Sequence, residues 1–169
     1  MPCANDFIPL NISVLTISDT RDESTDTSGA LLVKEIDTDG HNIADNAIVK
    51  DCVYAIREVV SKWIADDNVH AIITTGGTGF TPRDNTPEAI SVLFDKNIEG
   101  FGELFRQISF DEIGTSTVQS RALGGMANKT AIFCLPGSTN ACRTGWKKVI
   151  KEQLDASHGP CNFVTHLNV

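Results

Sequence analysis

The sequence is poor in basic residues and contains no basic cluster. Its 169 residues include 14 Lys and Arg against 22 Asp and Glu, which gives a formal net charge of -8 at pH 7, and no basic run is longer than Lys147-Lys148. Proteins that bind nucleic acid or anionic membranes through charge need a cationic surface. The composition therefore argues against both partners, although backbone N–H groups or a bridging cation can still hold a small anion.

Paired cysteines and long apolar runs are also absent. The cysteines form an odd-numbered set without a C-x-x-C motif: Cys3, Cys52, Cys134, Cys142 and Cys161. This pattern argues against a disulfide framework and against a zinc knuckle. No stretch approaches the ~20 apolar residues of a membrane helix, and the first residues lack the features of a signal peptide. We therefore predict a cytoplasmic protein with reduced thiols.

The sequence does contain a regular alternation of apolar β-branched segments with amphipathic ones. Strands are predicted at residues 10–18, 46–50, 69–75 and 130–136, and helices at 24–37, 52–67, 87–96, 101–114 and 142–154. This alternation predicts an α/β fold with a largely parallel sheet and helices on both faces. No linker or repeat divides the chain, so we expect one domain over residues 1–169, with a core at about 10–155 and an extended, aperiodic tail at 156–169.

Three loops are expected to meet at the carboxyl edge of this sheet, where α/β proteins bind their ligands. They span residues 18–29, 76–86 and 136–141 and are rich in small and polar residues. In the middle loop, Gly76, Gly77 and Gly79 allow positive φ and the close approach of a ligand to backbone N–H groups. The loop matches neither the P-loop nor the Rossmann fingerprint. A phosphate site and a purely structural tight turn are both consistent with it.

Four aspartates accompany these loops, and each has a structural alternative. A carboxylate beside a phosphate-binding turn repels the ligand unless a cation lies between them, so Asp84 indicates a Mg²⁺-bound phosphate. Asp84 could instead stabilise a turn, and Asp51 and Asp26 stand where helix N-caps belong. Asp19 could be a solvated loop charge. Their interest for function comes from their expected collection at one edge of the sheet.

Four segments, in their order and spacing, resemble the molybdopterin-binding family of molybdenum cofactor biosynthesis. They read LTISDTRDESTDTSG, TTGGTGFTPRDNTPEA, SRALGGMANKTAIFCLPGS and NACRTGW, and the resemblance covers about residues 10–155. It implies a three-layer α/β/α sandwich, the molybdopterin-binding fold, that assembles into trimers or hexamers and works with other proteins of the pathway. It also implies adenylylation of molybdopterin, in which the pterin phosphate attacks the α-phosphate of Mg²⁺-ATP and releases pyrophosphate.

The resemblance also implies roles for particular residues. Asp51 and Asp84 would be the catalytic residues that hold or position Mg²⁺. The phosphate cradle would consist of Gly76, Gly77, Thr78 and Gly79, with Ser18, Asp19 and Asp26 lining the same pocket. The pterin or nucleotide side would be closed by Ser120, Pro136, Gly137 and Ser138. Catalysis would rest on positioning and charge neutralisation.

The last loop departs from the family pattern. Adenylyltransferases of the family usually carry a second proline, as P-G-x-P, where this chain has Thr139. Three hypotheses therefore stay open. The first is an adenylyltransferase-type site that binds molybdopterin and ATP or GTP, the second a non-catalytic molybdopterin carrier, and the third a structural scaffold subunit. The presence of both Asp51 and Asp84 argues against the scaffold.

The tail carries apolar residues beyond the last predicted helix. Pro160 prevents the helix from continuing, and Phe163, Val164 and Leu167 follow it. Such a segment packs either on its own domain or on a neighbouring subunit. The oligomers that the resemblance implies favour the subunit contact.

Overall fold

A six-stranded sheet forms the centre of the computed structural model, which describes residues 6–169. The strands are β1 (Asn11–Ile17), β2 (Asn42–Val49), β3 (Ala71–Thr75), β4 (Lys96–Asn97), β5 (Leu123–Ala127) and β6 (Thr130–Leu135). Their order across the sheet is β2-β1-β3-β6-β5-β4. The first four strands in this order are parallel, whereas β5 runs antiparallel to β6 and β4 antiparallel to β5. The carboxyl ends of β1, β3 and β6 therefore lie side by side.

The helices are named in chain order. They are α1 (Thr27–Thr38), α2 (Val53–Ile64), α3 (Thr86–Ile90), α4 (Glu99–Ile113), α5 (Thr139–Gly145) and α6 (Lys151–Gln153). A π-helical turn (Trp146–Ile150) joins α5 to α6, and 3₁₀ turns occupy Ser91–Leu93, Gly114–Gln119 and Val164–His166.

Side chains of the central strands alternate between two buried clusters, as the period of two in a strand requires. On β1, Ile12 and Val14 join the cluster that includes residues of α1, α4 and α5, and Leu15 and Ile17 join the cluster that includes residues of α2 and α3. The central strands are buried on both faces, which is typical of parallel sheets. The predicted α/β/α sandwich with a mostly parallel sheet is confirmed.

Three strands and the end of one helix differ from the predictions. The helix predicted over 87–96 ends at Ile90, and a 3₁₀ turn then leads the chain into the short strand β4. Strand β5 was not predicted, because its sequence LGGMA has few β-branched residues and two glycines. Strand β2 begins at Asn42 rather than at residue 46. Its first four residues lack the apolar run of a buried strand, because Asn42, Ala44 and Asp45 are exposed on this edge of the sheet.

The tail packs on its own domain. Val164 and Leu167 are 2% and 7% exposed and belong to the cluster on the α1 side of the sheet. The ring of Phe163 lies 6.1 Å from the ring of Phe133 on β6. The core of the same chain therefore buries Val164 and Leu167 and partly buries Phe163, as the first alternative proposed, and a subunit contact of the tail stays a prediction.

The described residues contain neither a helix suited to span a membrane nor paired cysteines. Between residues 6 and 169, no helix has both the length and the apolar character that crossing a membrane requires. In the same range, Cys52, Cys134, Cys142 and Cys161 are unpaired thiols. Burial raises the pKa of Cys134 to about 12 and that of Cys142 to about 11, so neither is a reactive thiolate at neutral pH.

Candidate functional site

A cavity of about 590 Å³ opens at the carboxyl ends of β1, β3 and β6. Its walls come from the loop after β1, the glycine loop after β3, the loop after β6, helix α4 and the 3₁₀ turn that follows α4. Most of the predicted site residues line it: Ser18, Gly76, Gly77, Thr78, Gly79, Asp84, Ser120, Pro136, Gly137 and Ser138. Asp19, Asp26 and Asp51 lie behind this lining.

The glycine loop can follow its path only without side chains. Gly76 and Gly77 have φ of 101° and 69°, a region that favours glycine. A Cβ on Gly76 would lie 2.2 Å from the carbonyl oxygen of Ile17, and one on Gly77 would lie 2.2 Å from Thr86 Oγ1. The loop is therefore pressed against β1 on one side and against the start of α3 on the other.

Hydrogen bonds with α3 and β6 hold the glycine loop and leave two of its backbone N–H donors without an acceptor in the described part of the chain. The Gly76 N–H donates to the carbonyl of Leu135 on β6 at 3.0 Å. Thr86 Oγ1 donates to the carbonyl of Gly76 at 2.8 Å, and the Thr86 N–H donates to the carbonyl of Gly77 at 3.0 Å. Thr86 is the first residue of α3, and Asn85 occupies the N-cap position. Among residues 6–169, the N–H groups of Gly77 and Thr78 have no hydrogen-bond acceptor. These two donors are available to an anion in the cavity.

Asp84 presents an ionised carboxylate beside these donors. Its Oδ2 accepts hydrogen bonds from the N–H and the hydroxyl of Thr81 at 2.9 and 2.7 Å. Burial acts to raise the pKa of Asp84, but the hydrogen bonds from Thr81 and Gly79 outweigh it and hold the pKa below its usual value. A negative charge therefore stays next to the glycine loop at neutral pH.

Asp51 lies on the other side of Gly77 and does not cap α2. The N-cap of α2 is Cys52, which makes no side-chain capping bond. Instead, Asp51 Oδ1 accepts hydrogen bonds from the N–H and the side-chain amide of Asn85 at 3.0 and 3.1 Å. The carboxylate is 4% exposed, and this burial, together with the nearby charges of Asp84 and Asp19, raises its pKa against the effect of the Asn85 bonds. The capping hypothesis for Asp51 is thus contradicted, and the side chain instead ties the loop after β2 to the N-cap residue of α3.

Asp19 is not a free solvated charge. Its two oxygens accept from Arg83 Nε and Nη2, both at 2.8 Å, and Oδ1 also accepts from the N–H of Asp51 at 3.1 Å. The hydrogen bond from Arg83 lowers the pKa of Asp19 to about 2. This residue therefore ties the loop after β1 to the glycine loop and to Asp51.

Asp26 is the N-cap of α1, which confirms the structural alternative proposed for it from the sequence. Its Oδ1 accepts from the N–H of Gly29 at 2.9 Å, which caps α1, and its Oδ2 accepts from Thr16 Oγ1 at 2.6 Å. The residue is 7% exposed. Asp26 supports the cavity wall from behind, through Thr16.

Two serines from separate loops show different degrees of hydrogen bonding. Ser138 Oγ accepts from the N–H of Ala141 at 3.1 Å and caps α5. Ser120 Oγ is shielded from solvent and finds no hydrogen-bond partner among the described residues, although it borders the cavity. An unpaired buried hydroxyl of this kind costs free energy.

Sequence reasoning missed one wall of the cavity and one cation. Phe105, Ser109, Ile113, Ser116 and Gln119 form the wall from α4 and its following turn. No strand ends there, so the rule that ligands bind at strand ends gave no signal. Arg21 also lines the cavity, and its place in a strand-end loop, SDTRDE, could have identified it.

The carboxylates do not form a closed metal site on their own. Within residues 6–169, no group of three or more His, Cys, Asp or Glu side chains is arranged to hold a metal ion. Magnesium, however, usually takes one or two protein carboxylates and completes its shell with water and substrate phosphate. A single accessible carboxylate beside a phosphate cradle fits that mode of binding.

Comparison with known proteins places this chain in a family. Residues 13–156 match the family described as "Probable molybdopterin binding domain", and the chain belongs to that family. The resemblance found in the sequence is thereby confirmed.

The particular relatives are molybdenum cofactor biosynthesis proteins B. The protein of that name from Escherichia coli (strain K12) is 56% identical over 164 residues, which cover 97% of this chain and 96% of the relative. A crystal structure of a molybdenum cofactor biosynthesis protein B has a TM-score of 0.84 and 44% identity, covering 87% of this chain and 92% of that one. The tungsten cofactor synthesizing protein MoaB from Pyrococcus furiosus has a TM-score of 0.74 and 35% identity, covering 86% and 92%. The chain is a molybdenum cofactor biosynthesis protein with a molybdopterin-binding domain.

Proposed function

We propose that the cavity binds molybdopterin together with a purine nucleotide and transfers the adenylyl group of Mg²⁺-ATP to the pterin phosphate. The products would be adenylylated molybdopterin and pyrophosphate. A phosphate oxygen of the pterin would form a bond to the α-phosphorus of ATP while the bond from that phosphorus to the β-phosphate bridge breaks. The nucleophile is already an anion, so the step needs no general base.

The observation that carries this proposal is the glycine loop with its neighbouring carboxylate. The N–H groups of Gly77 and Thr78 lack acceptors within the described chain, and glycine at both positive-φ positions lets a phosphate approach the backbone closely. The ionised carboxylate of Asp84 lies against Gly79 of the same loop and lines the same cavity. Such a pairing repels a phosphate unless a cation separates the two.

Magnesium suits this arrangement. Asp84 would hold the ion directly, and Asp51, behind Gly77, would add negative charge and keep the loop in place. When bound, Mg²⁺ would neutralise phosphate charge in the transition state. The backbone N–H groups would orient the phosphates, and Ser120 would border the bound ligand. These groups are fixed before the ligand arrives, which is the condition for electrostatic stabilisation of a transition state.

A non-catalytic carrier is the second candidate, and Thr139 favours it. This residue stands where the adenylyltransferase pattern of the last loop has proline. Here the Thr139 hydroxyl is hydrogen bonded to Thr27 Oγ1 at 2.9 Å and to Ser28 Oγ at 3.2 Å. A side chain that joins the starts of α5 and α1 gives the loop after β6 different supports from those that a proline provides. A carrier would bind both ligands without joining them.

One assay separates the two candidates. Purified protein is incubated with molybdopterin, ATP or GTP, and Mg²⁺, and the mixture is examined by chromatography and mass spectrometry for nucleotidylated pterin and pyrophosphate. We expect product with ATP that depends on Mg²⁺. Binding of molybdopterin and nucleotide by calorimetry without product would identify the carrier, and failure to bind either ligand would reject both candidates.

We also propose that the chain assembles into trimers or hexamers. The resemblance implies such oligomers, and α4 exposes three large apolar side chains in a single copy: Leu104, Phe110 and Ile113 are 43%, 54% and 52% exposed. Light scattering at micromolar concentration measures the assembly, and a monomeric mass would contradict this part of the proposal.

A further inference from the structure

Arg21 brings a positive charge into a cavity whose other charged lining residue is acidic. Within the described lining, Arg21 and Asp84 are the charged side chains. They belong to different walls, since Arg21 lies in the loop after β1 and Asp84 in the loop after β3. A ligand that carries phosphate therefore meets a cation on one wall, whatever the acidic wall binds through magnesium.

The guanidinium of Arg21 has unused hydrogen-bonding capacity. Its Nη1 donates to Ser28 Oγ at 3.0 Å and lies 3.7 Å from Asp26 Oδ1, which is beyond a hydrogen bond. A guanidinium has five N–H donors, and this single bond is the one it makes with side chains or backbone of residues 6–169. The side chain of Arg21 is 32% exposed, whereas that of Asp26 is 7% exposed. The remaining donors are open to a ligand.

A chain of hydroxyl groups holds Arg21 against the loop after β6. Ser28 Oγ donates to the carbonyl of Gly137 at 2.8 Å, and the hydroxyls of Ser28 and Thr139 are 3.2 Å apart. Gly137 itself lines the cavity. The position of the guanidinium is therefore coupled, through Ser28, to Thr139.

We propose that Arg21 is a phosphate-binding residue of this cavity and that Thr139 is a positioning residue that acts on it through Ser28. The inference rests on the proposed function for its ligands, which are the phosphate groups of the nucleotide or of the pterin. Guanidinium groups bind phosphate through two parallel hydrogen bonds, which an ammonium cannot reproduce. Arg21 would thus select ligands that carry phosphate on the side of the cavity away from Asp84.

The test compares Arg21→Gln with Arg143→Gln by calorimetric titration. Arg143 is an exposed arginine of α5 outside the cavity lining, so its variant controls for the loss of one positive charge. The probes are Mg²⁺-ATP, molybdopterin and inorganic pyrophosphate. We expect Arg21→Gln to lower the affinity for at least one phosphate-bearing probe by roughly tenfold or more. Arg143→Gln should bind every probe with the affinity of the unmodified protein. The probe that weakens most identifies which phosphate Arg21 contacts.

Two further variants separate ligand binding from support of the fold. Arg21→Lys keeps the positive charge but loses the two parallel N–H donors of the guanidinium. Its affinity for the phosphate-bearing probe should therefore lie between those of the unmodified protein and Arg21→Gln. Thr139→Val should weaken the same probe, and the double variant Arg21→Gln with Thr139→Val should show no further loss, because one residue acts through the other. A purely structural role of Arg21 would lower the melting temperature and leave the affinity of the folded protein unchanged.

The outcomes also separate this inference from the proposed function. Equal affinities of Arg21→Gln and Arg143→Gln for every probe would overturn the role of Arg21 and leave the proposed function standing. Pyrophosphate binding that depends on Arg21, in a protein that binds neither ATP nor molybdopterin, would support Arg21 and reject the function. Binding of none of the probes by the unmodified protein would overturn both.

Discussion

Asp51, beside Gly77, and Asp84, beside Gly79, differ because their oxygens have different partners. Asp84 accepts from Thr81 and keeps a lowered pKa, whereas Asp51 is almost fully buried and its pKa is raised. A carboxylate at the cavity wall can bind a cation, while one behind the loop mainly acts on the loop. Their contributions to magnesium-dependent binding should therefore be unequal.

Replacement of Asp84 tests the direct role. Asp84→Asn keeps the size of the side chain and removes the charge, so we expect the affinity for Mg²⁺-ATP to fall by at least tenfold, about 1.4 kcal/mol. Calorimetric titrations with and without Mg²⁺ measure the change. Asp67→Asn, at an exposed acid outside the cavity lining, serves as the control. Unchanged dependence on Mg²⁺ in Asp84→Asn would end the magnesium hypothesis.

Replacement of Asp51 tests the supporting role. Asparagine can still accept the two hydrogen bonds from Asn85 through its Oδ1, so Asp51→Asn should remain folded with a melting temperature close to that of the unmodified protein. We expect a smaller loss of Mg²⁺-dependent affinity than in Asp84→Asn. A loss as large as that of Asp84→Asn would make Asp51 a direct ligand of the metal.

At the scale of elements, the amino end of β1 depends on two histidines. His41, just before β2, accepts the N–H of Leu10 on its Nδ1 at 3.1 Å, and His70, just before β3, accepts the N–H of Asn11 on its Nδ1 at 2.9 Å. Protonation of either Nδ1 turns the acceptor into a donor and breaks the bond. The start of the central strand therefore needs both rings to be neutral.

This dependence predicts that acid weakens the fold at mild pH. Burial lowers the pKa of His41, against the opposing charges of Asp39 and Asp155, and burial also lowers the pKa of His70. At acidic pH the folded state therefore binds fewer protons than the unfolded state. The free energy of unfolding should be highest above about pH 6.5, the ordinary pKa of histidine, and should fall as the pH drops below that value. Urea unfolding between pH 8 and pH 5 measures this slope.

An asparagine at position 41 provides the comparison. The Oδ1 of Asn in His41→Asn can accept the Leu10 N–H and does not titrate, so the variant should show a shallower loss of stability below pH 6.5. Equal slopes for the variant and the unmodified protein would show that His41 does not cause the acid sensitivity.

The elements also show what the sequence could and could not predict. The apolar β1, β3 and β6 and the amphipathic α2 were predictable because their side-chain periods are set by burial. The start of β2 and all of β4 and β5 were not, since two of these segments lie at sheet edges and LGGMA pairs through backbone bonds that side chains do not signal. The α4 wall of the cavity was not predictable either, because α4 reaches the strand ends through tertiary packing and not through its position in the sequence.

At the scale of the whole molecule, the tail stabilises the domain that precedes it. Leu167 is 7% exposed in the cluster on the α1 side of the sheet. Leu167→Ala should lower the free energy of unfolding by about 2–3 kcal/mol, the range of large-to-small changes in a core. Urea denaturation measures the change, and Val169→Ala, at a residue that is 57% exposed, should leave stability unchanged. Light scattering on the same samples would reveal a subunit contact instead, if Leu167→Ala changed the mass without changing the stability.

The glycine loop has a consequence for how such a site can diversify. Its ligand-facing groups are backbone amides, and any side chain at Gly76 or Gly77 would collide with Ile17 or Thr86. Substitution there can destroy the proposed phosphate cradle but cannot give it a preference for a different ligand. Any shift toward another pterin or another nucleotide would have to arise in the surrounding side chains, such as Arg21, Ser116 and Gln119. Related sequences with a different ligand preference should therefore keep the glycines of this loop and differ in the other residues that line the cavity.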